Sequence, residues 1–126
     1  MTDKKEIISL LDGLTDAFNG HDIERIMSYF ADDCSLDMPR GKEPHGGRYL
    51  GRDEVRKGLM MRFETTPDVH YAEAEHFADG DTGMSKWLLT GTIADGTRIA
   101  VRGCDFYTFR EGKVVRKDSY WKIVER

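Results

Sequence analysis

Apolar residues recur at helical spacing near the start of the chain, at Ile7, Leu10, Leu11, Leu14 and Phe18. They predict an amphipathic helix over Asp3 to Asn19, with Asn19-Gly20 ending it as a left-handed C-terminal pair. A second, short helix follows, with Asp22 as N-cap and Ile23, Ile26, Met27 and Phe30 facing inward. The two helices, joined by His21-Asp22, form a tight hairpin. Asp32-Asp33 reads as a solvated cap after the second helix. The period then falls to two: Cys34, Leu36 and Met38 alternate with Ser35 and Asp37 until Pro39 ends the strand. Arg40 to Gly51 carries four glycines and a proline and reads as a loop. Arg52-Asp53 opens a third helix with Val55, Leu59 and Phe63 inward, and Pro67 closes the helical region.

From Val69 onward the pattern is strand and turn. Runs at 69–78, 83–93, 97–109 and 113–124 are separated by Asp79-Gly80-Asp81, Ala94-Asp95-Gly96 and Arg110-Glu111-Gly112. The last two read as three-residue hairpin loops with glycine in the left-handed position. Helices first and a meander last predict an α+β fold, three N-terminal helices covering a mostly antiparallel sheet. Residues 1–126 form a single domain in this reading.

The three-residue loops set a register. Trp87, Leu89 and Gly91 come to lie beside Ile99, Val101 and Gly103. Asp105, Tyr107 and Phe109 come to lie beside Val115, Lys117, Ser119, Trp121 and Ile123. Apolar residues then collect on one face, and Arg98, Arg102, Arg116, Asp118 and Lys122 on the other. A two-residue loop at either turn would mix the faces, because the side-chain period is two.

Asp105 stands out on the apolar face, directly across from Lys117 with Ser119 diagonal to it. Burial disfavours a carboxylate, and a neighbouring ammonium favours it. Asp105 is therefore a neutral hydrogen-bond donor, a poised base, or half of an ion pair with Lys117. His70 and His76, six apart in one strand, share a face but sit about 20 Å apart by strand rise, too far to chelate one ion. No metal site is expected. His76 or His70 could reach the pocket, although a packing role is the plainer reading. Pro44 to Tyr49 has no phosphate-cradle pattern and reads as a flap over a pocket mouth, bringing Tyr49 to a ligand beside Tyr107 and Trp121. No Gly-x-Ser-x-Gly elbow or Cys/His nucleophile pair is legible.

Composition narrows the setting. Hydrophobic residues make up 39% of 126 positions, enough for one core, and a core this size leaves room for stabilisation by a homodimer. A net charge of −4, with basic residues scattered among acids, argues against nucleic acid as a partner. No apolar run reaches membrane-span length, and Met1-Thr2-Asp3-Lys4-Lys5-Glu6 has no signal-peptide core, so a cytoplasmic protein with no membrane partner is expected. Cys34 and Cys104 are expected as reduced thiols.

Several segments carry a resemblance when taken in order. They are Ala17-Phe18-Asn19-Gly20-His21-Asp22-Ile23 with Tyr29-Phe30-Ala31-Asp32-Asp33, then Tyr49-Leu50-Gly51 and Gly103-Cys104-Asp105-Phe106. Glu111-Gly112-Lys113-Val114-Val115 with Tyr120-Trp121 completes the set. The chain resembles the SnoaL-like branch of the nuclear-transport-factor-2-like, ketosteroid-isomerase-like superfamily. The resemblance implies a cone-shaped curved sheet around an apolar pocket, often dimerising through the outer face. Ketosteroid isomerases use a helix-one tyrosine, a sheet aspartic acid and a second aspartate as base. Those positions match Leu14, Asp105 and Met38 here, so only the aspartic acid is kept. The last-strand aspartate of limonene-epoxide hydrolases falls at Ser119. SnoaL-like polyketide cyclases close a ring by an aldol step without metal or cofactor, using a pocket aspartate as general acid/base, a part open to Asp105.

The resemblance thus implies a pocket for a small apolar, carbonyl-bearing molecule and a cofactor-independent isomerase or cyclase acting through Asp105. Lys117 tunes Asp105, and Ser119, Tyr107 and Trp121 shape the site. Val101, Trp87, Tyr49, Met38, Leu14 and His76 complete the candidate walls. The alternative is a non-catalytic small-molecule-binding or dimerisation module.

Overall fold

Asp3 and Asp22 start the first two helices: their carboxylates accept the backbone N–H of Glu6 (2.9 Å) and Arg25 (3.1 Å). The computed structural model describes residues 3–125, so the reading of Met1 and Thr2 lies outside the described residues. Helix α1 spans Lys4–Asn19, α2 spans Ile23–Ser28 and α3 spans Arg52–Thr65. The strands are β1 (Phe30–Asp37), β2 (Arg48–Leu50), β3 (His70–Asp79), β4 (Thr82–Thr92), β5 (Arg98–Arg110) and β6 (Lys113–Trp121). They form one sheet in the order β2-β1-β6-β5-β4-β3, antiparallel except for the parallel pair β1–β6. The α+β architecture is as expected. Ile7, Leu11 and Leu14 of α1 and Val55 and Leu59 of α3 join Leu36, Tyr107 and Phe109 of the sheet in the main core.

Several local expectations are corrected. The left-handed residue after α1 is His21 (φ 53°), while Gly20 stays right-handed. His21 holds that conformation with its Nε2 2.7 Å from the Val69 carbonyl and its ring 4.8 Å from that of Phe63. The second helix ends before Phe30, which starts β1 beside Val114. There Arg52 donates to the carbonyls of Met27 (3.1 Å), which the end of the short helix leaves open, and of Phe30 (2.7 Å) at the start of the strand. Asp33 is consequently a strand residue, paired with Arg110 through two hydrogen bonds of 2.6 and 3.1 Å, not a helix cap.

The segment read as a loop contains β2. Leu36 pairs with Tyr49, and Met38 N–H donates to the Gly47 carbonyl at 2.8 Å, so residues 38–47 close as a return rather than a flap. The anchor is Asp37, fully buried, whose carboxylate receives Arg48 Nε at 2.7 Å and Arg116 Nη2 at 2.8 Å. Those guanidiniums hold its carboxyl below the ordinary aspartate range, the Arg48 hydrogen bond contributing most.

The β4–β5 hairpin has the three-residue loop, with Ile93 N–H donating to the Thr97 carbonyl (3.0 Å) and Trp87 paired with Gly103. The β5–β6 hairpin does not. Its turn is two residues, Glu111 (φ 52°) and Gly112 (φ 76°), between Arg110 and Lys113. A bulge follows, with Phe109 opposite Val114 but Thr108 opposite Arg116. The shorter turn inverts the strand's faces, and the extra residue, Val115, inverts them back. Asp105, Tyr107, Lys117 and Ser119 therefore stay inward while their partners change: Asp105 faces Ser119, and Lys117 faces Tyr107. Val114 takes the buried place expected for Val115. Strand β6 ends at Trp121, leaving Ile123 88% exposed instead of on the inner face.

A second bulge, between Ala72 and Glu75 with Glu73 at φ 54°, separates the β3 histidines. One extra residue puts His70 outward opposite Thr90 and His76 inward opposite Ser85, so they do not share a face.

Candidate functional site

Asp105, Lys117 and Ser119 meet under the helices as one buried cluster, each side chain supplied by β5 or β6 at alternate positions. Asp105 Oδ1 accepts from Ser119 Oγ at 2.6 Å and from Lys117 Nζ at 3.0 Å. Its Oδ2 accepts from the Trp87 indole at 2.9 Å. Lys117 Nζ also donates to Ser119 Oγ at 2.7 Å and sits 5.6 Å from the Phe18 ring centroid and 5.9 Å from that of Tyr107. Lys117 and Asp105 thus stand at salt-bridge distance, with side chains only 9% and 6% exposed. Burial, then the Asp105 charge, pushes the Tyr107 hydroxyl well above the ordinary tyrosine value.

The cluster borders a void of about 30 Å³. Its walls include Asp105, Lys117, Ser119, Trp87, Trp121 and Met38, six of the residues singled out in the sequence. Tyr107 faces a second void of about 10 Å³ that shares Asp105 and Lys117 with the first. Leu14, Val101, Tyr49 and His76 are not among the walls of either void. Leu14 is buried in the main core, and Val101 pairs with Leu89. Tyr49 lies against Gly58 of α3 with its hydroxyl 3.5 Å from Met61 Sδ, so it fastens β2 to the helix. His76 is bound to Ser85 and Asp12 rather than to Asp105.

Arg62 and Tyr71 are wall residues that the sequence reading passed over. Arg62 stands seven residues after Val55 and three after Leu59, the inward spacing of α3, so its position was legible although its charge was not expected there. Its guanidinium lies 4.4 Å from the centre of the Trp121 ring, and its charge favours the ionised form of Tyr71. Burial raises the Tyr71 hydroxyl above its ordinary value. Arg40 stands 5.8 Å from the same Trp121 ring, so two cations flank the outer end of the void. Among the described residues no three His, Cys, Asp or Glu side chains converge on a metal-sized site.

The comparisons with known proteins agree with this fold. A family described as the SnoaL-like domain matches residues 11–117. No curated protein matches. Among solved structures, a candidate polyketide cyclase from Xanthomonas campestris superimposes with a TM-score of 0.86 at 18% identity, covering 96% of this chain and 93% of that one. An NTF2-like protein of unknown function from Burkholderia pseudomallei gives 0.83 at 18% identity, covering 97% and 92%. TerC, co-crystallised with polyporic acid, gives 0.80 at 24% identity, covering 93% and 92%. These likenesses are to the fold.

Proposed function

The chain belongs to the SnoaL-like family, and on that premise we propose that it carries out cofactor-independent proton transfer on a small apolar, carbonyl-bearing molecule at Asp105. The observation that carries the reading is a buried carboxylate and a buried ammonium on the wall of one void lined mainly by apolar and aromatic residues. Asp105 Oδ1 or Oδ2 would take a proton from the carbon beside the carbonyl. Lys117 has three N–H donors, of which two serve Asp105 and Ser119, leaving one for the developing enolate oxygen. The fold neighbour described as a candidate polyketide cyclase supports this class of chemistry.

The void is far smaller than the roughly 300–1,000 Å³ of ordinary ligand sites, so a ligand enters by displacing side chains. Arg62 and Trp121 stand at its outer end and are held by a cation–π contact, worth about 0.5–2 kcal/mol, which is weak enough to open. The experiment is α-proton exchange of 2-tetralone in D2O, followed by proton NMR. Wild type is expected to exceed the buffer rate, and Asp105→Asn to fall to it with its fold intact. Equal rates for the two proteins would end the assignment.

The small void also favours a second reading, a non-catalytic module whose interior is filled by its own side chains. The outer sheet face then becomes the working surface. It presents Phe106 (42% exposed) and Tyr120 (53%), edge-to-face at 5.7 Å, with Phe77 (47%) two strands away. A homodimer through this aromatic patch is compatible with either reading.

A further inference from the structure

His76 is an inward-facing histidine with a partner on each nitrogen. Its Nδ1 lies 2.8 Å from Ser85 Oγ, and its Nε2 lies 3.2 Å from Asp12 Oδ1. The three residues come from three elements: Asp12 from α1, His76 from β3 and Ser85 from β4. The bulge in β3 is what turns His76 inward, so the contact depends on an irregularity of the strand. Exposure falls steeply along the series. The Asp12 side chain is 77% exposed, the imidazole 7%, and Ser85 only 3%.

The inner end of this series meets the site. Ser85 is the cross-strand partner of Asp105, and both face the void of about 10 Å³ that Tyr107 and Lys117 also border. That volume is on the scale of one water molecule, which needs about 10–15 Å³ and two to four polar partners. Ser85, Asp105, Tyr107 and Lys117 supply such partners. A hydrolytic use of the serine fits poorly. Its strand N–H groups are committed to the sheet, so no pair of donors is left to hold an oxyanion, and the void admits no acyl group.

We propose that Asp12, His76 and Ser85 conduct protons between bulk water and the Asp105–Lys117 site. For its purpose the proposal rests on the reading of Asp105 as a proton-transfer residue. A proton released in the inner void passes to Ser85 Oγ as the hydroxyl gives its own proton to His76 Nδ1. The proton on Nε2 leaves to the Asp12 carboxylate and then to water. Each step breaks one O–H or N–H bond and makes another, and the net change is one proton moved outward. The reverse sequence brings one in. Such a path returns Asp105 to its starting state while Arg62 and Trp121 keep the void closed.

The test needs no substrate. The Lys117 ammonium protons, bonded to Asp105 and Ser119, exchange with water at a rate measurable by proton–nitrogen NMR on the ¹⁵N-labelled protein. His76→Gln keeps a hydrogen-bonding side chain that cannot pass a proton, and Ser85→Ala breaks the inner link. Both are expected to slow Lys117 exchange about tenfold or more, with the Trp87 indole resonance in place as the sign of an intact site. Asp12→Asn, on the surface, gives the same comparison if an interior variant does not fold. Lys117 signals equally sharp, or equally broadened, in wild type and variants would overturn the proposal, because protons then reach the site by opening of the void. The 2-tetralone exchange of Asp105→Asn reports separately on the function, so the two failures are distinguishable.

Discussion

Lys117→Met removes one half of the buried pair and leaves the stem of the side chain nearly unchanged. The Asp105 carboxylate then keeps the Trp87 indole and Ser119 hydroxyl as donors but loses its counter-charge. Deleting one partner of a buried ion pair costs about 3–5 kcal/mol. The two surviving hydrogen bonds to the carboxylate place this case near the lower end, about 3 kcal/mol. For 126 residues, an unfolding entropy of about 2.1 cal/mol/K per residue converts that loss into a fall in Tm of about 11 °C. Asp105→Asn combined with Lys117→Met is the informative control. The new amide can take the Trp87 N–H on its oxygen and donate to Ser119 Oγ, so no charge is stranded and each polar group keeps a partner. Urea unfolding followed by circular dichroism, at matched protein concentration, should place the double variant within about 1 kcal/mol of wild type. A double variant as unstable as Lys117→Met would refute the reasoning, since packing of the lysine stem and not charge would then carry the cost. So would a Lys117→Met protein as stable as wild type.

Two further outcomes follow from features away from the void. The folded-state pKa of Asp37 is lowered, so its stabilising contribution is present above the unfolded value of about 3.9 and is lost as pH falls through the folded value. The stability gap between wild type and Asp37→Asn, measured by urea unfolding, should be steady near neutrality and close below about pH 4; a gap that persists in acid would contradict the Asp37–Arg48–Arg116 account. Phe106→Glu puts a charge on the exposed aromatic patch, and sedimentation equilibrium should show it monomeric where wild type is dimeric. A wild-type monomer, or a variant dimer as tight as wild type, would remove this face from the assembly.

Much of the architecture was legible because burial imposes periodicity. The spacing of Ile7, Leu11 and Leu14 located α1, and alternation through Trp87 and Leu89 located the inner face of β4. The Ala94-Asp95-Gly96 turn fixed the β4–β5 register. That same register places Ser85 opposite Asp105, a consequence contained in the pattern. What periodicity does not encode is a single extra residue. Val115 and the Glu73 region changed which side chains meet, and nothing in either run sets its bulge apart from an ordinary strand. The inward set Asp105, Tyr107, Lys117 and Ser119 was recovered because a short turn and a bulge, both unseen, cancel in parity. Strand β2 escaped notice because what fastens it, Asp37 gripping Arg48, is an electrostatic contact between residues eleven apart, with glycines filling the interval. Pocket size was not legible either. The walls are named by alternation, but how far Arg62, Tyr71 and Trp121 fill the space between them depends on rotamers.

The chain has only two tryptophans, and both stand on the wall of the larger void, one bonded to Asp105 and the other beneath Arg62. Its intrinsic tryptophan fluorescence therefore originates wholly at the site, with no background from elsewhere in the molecule. The two indoles divide the signal by depth. Trp87 reports on the charge held by the inner carboxylate, and Trp121 on whether the guanidinium above it has swung away. Emission intensity and wavelength thus make the unlabelled protein its own optical probe of occupancy, so that candidate ligands can be ranked by titration before any turnover is known.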